Sequence, residues 1–265
     1  MKVIHLFLIL AVMCCCYTEN IILIKPGGPA STEQAQKTMD TFANVLSKLS
    51  GTKVTATYFN DESPAIEFIK RNRPQVGIVS TAFYLKYHKS FQLQLQLQVY
   101  IKHQNKMNYV IAVAQDSPVH SLQALRGKKV ASNHLYEMDF LSHLFFKGTS
   151  NWQNYTTAKP VRRPYSYVKR LFRGKMDAVI LDNFQAQSIQ NLLNKQGKKI
   201  RIISNSQKIP TMPVVSFGNR YSSVVRAMQE LQNDKQGKKI LQLFQIDSFG
   251  QVDSQAFTKL VQVQR

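Results

Sequence analysis

Polar and small residues recur where an apolar, strand-like run gives way to a helical one, and these junctions are where the chain could do chemistry. In an open α/β sheet, ligands lie beyond the carboxyl ends of strands and against helix starts. That rule selects Gly27 and Gly28 after the first strand, Ser80, Thr81 and Tyr84 after the third, and Asn133, His134 and Tyr136 farther on. Tyr165, Ser166, Asp182 and Asn183 complete the ring. Hydroxyls, amides, an imidazole and a carboxylate suit the hydrogen-bonded capture of a small molecule. Asp182 would meet a hydroxyl, an amine or a protonated oxyanion, or it caps the following helix. Ser80-Thr81 can likewise be a helix cap, Gly27-Gly28 a tight turn, and the three tyrosines packing residues. His134 is either a solvated loop residue or a donor to an anion. Arg163 can clasp an oxyanion through two N–H groups or stand at the surface.

Catalysis finds no support in the same inventory. His88, His103, His120, His134 and His143 show neither metal-ligand spacing nor a nucleophile-activating motif. All three cysteines are consecutive, Cys14 to Cys16, so nothing downstream can form a disulfide, a thiolate metal site or a thiol nucleophile. A binding protein without catalytic residues, bound metal or cofactor is expected.

The elements that must position the candidate residues follow from periodicity. A strand (Ile21–Lys25) and a Pro-Gly-Gly-Pro turn lead to Ser31-Thr32-Glu33-Gln34, a capping-box pattern opening a helix that ends at Gly51. Strand Lys53–Phe59, a helix over 64–71, strand Val76–Ser80 and a helix over 83–88 follow. This βαβαβα order argues for a mainly parallel sheet with helices on both faces. The alternating run Phe91–Ile101 breaks the rhythm and can carry the chain into a second lobe. There the stretch Gln115–Phe146 reads as a short amphipathic helix stopped by Gly127, a strand over 130–132 and a helix over 136–147. Its Ser132–Tyr136 junction aims helix-start N–H groups at the sheet top, as an anion site would. An irregular segment, 149–164, precedes a helix over 166–172, strand Asp177–Leu181, a helix over 185–193 and strand Ile200–Ser204. The stiff Ile209-Pro210-Thr211-Met212-Pro213 then lets the chain cross back to a last strand and helices. Crossings near 99–110 and 205–214 imply two α/β lobes joined by a two-strand hinge, with residues 20–105 and 206–265 in lobe I and 106–205 in lobe II.

Residues 1–16 read as an export signal, with Lys2 ahead of the apolar run Val3–Met13. That run is shorter than the roughly 20 residues needed to span a bilayer. Leu-Ala-Val-Met-Cys resembles a lipobox, so lipidation of a cysteine and cleavage after Cys16 both stand as expectations. The 35 Lys and Arg against 15 Asp and Glu give a net charge of +20. These cations are scattered over turns and helix ends, with no groove-reading helix and no basic motif interleaved with aromatics. The pattern describes a solvated basic surface with an affinity for anionic envelope lipids, and no nucleic-acid partner.

Several strings, in order, resemble the phosphate, phosphite and phosphonate-type (PhnD-like) substrate-binding proteins of ABC transporters. They are VGIVSTAFY, DSPVHSLQALRGKKVAS, SYVKRLFRGKMDAVILDN, IPTMPVVSFG and NDKQGKKILQLFQIDSFGQVD. The resemblance covers nearly all of the chain after the signal. It implies a periplasmic-binding-protein-like fold of type 2 that closes on a ligand between its lobes. It also implies a periplasmic monomer that delivers a small ligand, such as a phosphorus oxyanion or phosphonate, to an ABC permease of the inner membrane. A sensory or accessory envelope module, with a different ligand or none, is the alternative. Where family members carry a Ser-Thr-Ser-Gly-like run, this chain has Asn133-His134-Leu135-Tyr136-Glu137-Met138, which brings Glu137 close to the expected anion. The histidine usual before the SYVKRLFRG-type helix is replaced by Arg163-Pro164-Tyr165. Asp177, at the family's acidic strand position, is read as structural.

Overall fold

The computed structural model describes residues 18–218 and 222–263, so the expected export signal lies outside the described residues. The first lobe opens with β1 (Thr18–Ile24), α1 (Thr32–Ser50), β2 (Lys53–Phe59), α2 (Glu62–Asn72), β3 (Val76–Val79), α3 (Thr81–Tyr87) and β4 (Leu93–Tyr100). The α1 cap forms as its residues dictate: Ser31 Oγ accepts the Gln34 N–H at 3.3 Å, and the Gln34 side chain accepts the Ser31 N–H at 3.1 Å. Gly51 ends the helix at φ 71°, a conformation that costs glycine nothing. Between the caps, Met39, Phe42, Val45 and Leu46 are buried with Val54, Ala56 and Tyr58 of β2 in one apolar cluster.

The chain crosses through β5 (Lys106–Met107) into β6 (Tyr109–Ala114), β7 (Lys129–Ser132), α4 (Met138–Phe146), α5 (Trp152–Tyr155), β8 (Thr157–Pro160), α6 (Pro164–Leu171), β9 (Ala178–Asp182), α7 (Asn183–Asn194) and β10 (Ile200–Asn205). It returns through β11 (Ile209–Pro210) to β12 (Pro213–Phe217), α8 (Ser223–Glu230), α9 (Lys235–Phe244), β13 (Ser248–Gly250) and α10 (Ser254–Val263). A six-stranded sheet, β13-β4-β12-β3-β1-β2, and a five-stranded sheet, β10-β6-β9-β7-β8, form the two lobes. The crossings pair with each other, β11 antiparallel to β5, with Ile209 opposite Met107.

The two-lobed α/β fold is the one expected, but its sheets are mixed rather than mainly parallel. Pairs β1–β2, β1–β3, β7–β8 and β7–β9 are parallel. The antiparallel pairs come from the crossings. β6 leaves the hinge and β10 returns to it, while β12 enters from the hinge and runs against both β3 and β4. Two local expectations are also revised. The amphipathic helix before Gly127 is a single 3-10 turn, Gln123–Leu125. The segment read as irregular holds α5 and edge strand β8, anchored by Trp152, which is fully buried.

The hinge is polar and ordered. Gln98, outward on the β4 alternation, is completely buried there. Its Nε2 donates to the Asn105 carbonyl at 2.5 Å and the Thr211 hydroxyl at 3.1 Å, and its Oε1 accepts the Asp253 N–H at 3.0 Å. An amide with both N–H donors and its carbonyl oxygen hydrogen-bonded can sit in a dry core at little cost.

Candidate functional site

The cleft lies at the hinge end of the five-stranded sheet, where β7 and β9 deliver their carboxyl ends to lobe I. From β7 the chain turns through Asn133 into a 3-10 turn, His134–Glu137, before α4 begins. The His134 N–H donates to Ser132 Oγ at 2.9 Å, which holds this turn against the sheet. Asp182 ends β9 and caps α7: its carboxylate accepts the Gln185 N–H at 2.7 Å while Gln185 Oε1 accepts the Asp182 N–H at 3.2 Å. Of the sequence alternatives for Asp182, the cap therefore forms, made by one of its two carboxylate oxygens. Its second oxygen lies 3.6 Å from His134 Nε2.

His134 is buried edge-to-face against Tyr109, with ring centroids 4.7 Å apart. Its Nε2 meets Gln185 Oε1 at 3.1 Å, and an oxygen partner assigns the proton to that nitrogen. Gln185 Nε2 reaches Asn133 Oδ1 at 3.4 Å. Asn133, Gln185, His134 and Asp182 thus form one connected polar chain. Burial opposes the charge on Asp182, but the hydrogen bond and charge of His134, the Gln185 N–H and Lys25 outweigh it, and the carboxyl is held below its ordinary value.

The lobes meet at Glu137. Ser80, the N-cap of α3, accepts the Phe83 N–H at 3.0 Å and donates its hydroxyl to the Glu137 carboxylate. Burial pushes the Glu137 carboxyl up to about 7, against the pull of Ser80, His134 and Lys25 and with a smaller push from Glu62. Gly27, at φ 74°, approaches the opposite lobe so closely that a Cβ there would stand 2.0 Å from the Asn133 carbonyl oxygen and 2.9 Å from the Tyr136 ring. A Cβ on Gly28 would stand 1.7 Å from the Tyr58 hydroxyl. Burial pushes that hydroxyl up to about 12, with Arg162 acting in the other direction, so it remains a donor at neutral pH. Arg162 spans the rim: it donates to Asp61 at 2.8 Å and the Asn60 carbonyl at 3.3 Å, with its guanidinium 4.8 Å from the centroid of the Tyr136 ring.

Gly27, Gly28, Ser80, Asn133, His134, Tyr136 and Asp182 therefore surround one region. Other candidates are engaged elsewhere. Thr81 is buried with its hydroxyl donating to the Pro210 carbonyl at 3.0 Å, on the hinge. Tyr84 packs edge-on against Phe257 with centroids 5.3 Å apart. Asn183 braces the first crossing by accepting the Asn108 N–H at 3.1 Å. Tyr165 packs on the α6–α7 face of the five-stranded sheet, with Lys169 Nζ 5.0 Å from its ring centroid. Ser166 is exposed and donates to the Arg163 carbonyl at 2.8 Å. Arg163 is exposed as well, and the arginine that reaches lobe I is its neighbour Arg162. Gln185 and Tyr58 join this region from outside the strand-to-helix junctions. The capping-box spacing from Asp182 could have found Gln185, whereas nothing local marks Tyr58.

Beside Glu137 a groove of about 730 Å³ opens between α3 and α4, with Ala82, Leu85, Met138 and Phe140 among its apolar walls. Among the described residues no group of three or more His, Cys, Asp or Glu could hold a metal ion, and no helix is long and apolar enough to cross a membrane. The cleft can hydrogen-bond a small polar ligand from both lobes, with donors at Gln185, Tyr58 and, where Glu137 releases it, Ser80, and acceptors at Glu137, Asp182 and Asn133.

Comparison with known proteins agrees. No curated protein sequence matches the chain significantly. Among solved structures, a Pseudomonas aeruginosa binding protein component of an ABC phosphonate transporter superposes with a TM-score of 0.70 at 13% identity, covering 93% of this chain and 85% of that one. The PhnD1 protein of Prochlorococcus marinus, in complex with methylphosphonate, gives 0.69 at 12% identity, covering 93% and 96%. A Xanthomonas citri protein solved bound to ATP gives 0.68 at 16%, covering 93% and 98%. These likenesses establish the fold. The family model described as ABC transporter, phosphonate, periplasmic substrate-binding protein matches residues 29–257. The chain belongs to that family and works as the periplasmic solute-binding component of an ABC uptake system.

Proposed function

We propose that the ligand delivered to the permease is a phosphorus oxyanion or phosphonate that brings a hydrogen-bond donor of its own, a P–OH or an ammonium group. Glu137 carries this reading. A carboxylate between the lobes repels a full dianion at close range. With the Glu137 carboxyl near 7, one proton can be shared between it and a phosphonate oxygen, which turns repulsion into a charge-assisted hydrogen bond. Gln185, and Ser80 once its hydroxyl turns from Glu137 to the ligand, supply donors to the remaining oxygens. The family membership and the methylphosphonate complex of the Prochlorococcus relative support the same class of ligand. The mature chain would act as a monomer, free or held by a lipid on one of Cys14, Cys15 and Cys16.

The test is a thermal-shift panel on protein unfolded and refolded to strip ligand, with phosphite, methylphosphonate, 2-aminoethylphosphonate and sulfate at pH about 6 and about 8. Phosphorus compounds are expected to raise the midpoint, more at the lower pH where a P–OH is available. Sulfate, which carries no proton at either pH, is expected to do nothing. A sulfate shift equal to the phosphonate shift, or silence from every phosphorus compound, overturns the proposal. Silence would favour the accessory reading, which the Ser80–Glu137 contact also supports: the chain's own carboxylate would then bridge the lobes in place of a ligand.

A further inference from the structure

The end of the five-stranded sheet opposite the hinge gathers cations that the binding cleft does not use. Lys128 and Lys129 stand at the start of β7, Arg173 and Lys175 before β9, and Lys198 and Lys199 before β10. Strand order β10-β6-β9-β7 sets these three starts side by side with the end of β6, across about 15 Å at the usual strand spacing. Hydrogen bonds close the rim: the Asp177 N–H donates to the Lys129 carbonyl at 3.1 Å and the Gln115 N–H to the Lys199 carbonyl at 3.1 Å. All six side chains are exposed. Among the described residues none of them lies within ion-pair distance of a carboxylate. Two carboxylates share the rim, Asp177, which accepts the Lys129 N–H at 2.8 Å, and the exposed Asp116 at the end of β6.

We propose that this rim docks the protein on an anionic phospholipid bilayer. Six cations against two carboxylates leave this end of the lobe net positive, which keeps its attraction for a negative surface within a Debye length. The rim is the sheet end turned away from the cleft, so a partner that must sense lobe closure, such as the permease, has little to read there. Single-stranded nucleic acid needs open aromatic faces on which bases stack, whereas Phe172 beside the rim has Lys198 Nζ 5.4 Å from its ring centroid. This inference rests on the fold and is independent of the ligand.

The test is vesicle co-sedimentation of the chain lacking residues 1–16, so that no lipid anchor contributes. Vesicles hold either phosphatidylcholine alone or about 30 mol % phosphatidylglycerol, at about 50 and about 300 mM salt. Binding is expected only to the anionic vesicles, and only at low salt. Combining Arg173→Glu, Lys175→Glu, Lys198→Glu and Lys199→Glu is expected to weaken it by about tenfold or more. Combining Lys235→Glu, Lys238→Glu and Lys239→Glu, on α9 of the other lobe, should leave it within about twofold, with circular dichroism checking that both variants fold. Equal losses in the two variants would mean that net charge alone drives adsorption. That result, absence of binding to anionic vesicles, or tighter binding to an oligonucleotide than to vesicles, overturns the proposal.

Discussion

The two walls of the cleft are built from different materials. Lobe I contributes backbone and neutral groups: Gly27 and Gly28 at close approach, the Ser80 hydroxyl fixed by its cap bond, and the un-ionised Tyr58. Lobe II contributes two buried carboxyls, Glu137, which meets Ser80, and Asp182, which is tied to His134 and Gln185. One wall is a template that sets how near the lobes can come, and the other holds the ionisable groups that face it. The difference separates shape from electrostatics, and each can be altered alone.

The largest effect is expected on the template side. Gly27→Ala puts a Cβ against the backbone oxygen of Asn133, which cannot yield as a flexible side chain would. The positive φ adds about 1 kcal/mol of strain to both open and closed forms. The clash acts on the closed form only, so ligand affinity should fall by on the order of a hundredfold as the closed population drops. Calorimetry reads the affinity and small-angle scattering reads a larger radius of gyration. Unchanged affinity would show that closure does not depend on this approach.

On the charged side, Glu137→Gln keeps an oxygen for Ser80 while removing the ionisation. Burial raises the carboxyl from 4.5 to about 7, so between those values the folded state binds more protons than the unfolded state. Its favourable contribution is complete below 4.5 and is lost as pH rises through about 7. The variant should match the parent near the acid end. Above neutral pH it should exceed the parent by on the order of 1–3 kcal/mol in urea denaturation. Its phosphonate binding should also lose the preference for low pH. Parallel stability curves for the two proteins would remove Glu137 as the titrating group between the lobes.

Arg162 is a smaller case, where a charge of lobe II meets lobe I at the rim. The Arg162 and Asp61 side chains keep 33% and 44% of their surface exposed, and exposed pairs contribute about 0–1 kcal/mol. Stacking on Tyr136 adds a comparable amount. Arg162→Ala should weaken ligand binding by roughly two- to tenfold, through faster release. A double-mutant cycle with Asp61→Ala should return a coupling below about 1 kcal/mol. A much larger coupling would make the rim, not the cleft floor, the main lock on closure.

Much of this molecule is legible locally. The capping boxes Ser31/Gln34 and Asp182/Gln185 are sequence patterns four residues long, and both form. The alternation of β4 and the Pro-stiffened return at Pro210 and Pro213 pointed to two crossings, because strand period and proline geometry are properties of short segments. What the residues could not state alone was direction and partner. Whether β12 runs with or against its neighbours depends on the hinge from which it enters. Arg162 rather than Arg163 reaches lobe I because of the turn before α6. Thr81 meets Pro210 across 129 positions, Arg162 meets Asp61 across 101 and Ser80 meets Glu137 across 57. The sequence determined the caps, most of the elements and the family to which they belong, since these depend on nearest neighbours and ordered motifs, while α5 and β8 went unmarked. Only the tertiary structure decided that Glu137 would be buried against Ser80 and titrate near 7, because desolvation comes from atoms that the chain brings together only on folding.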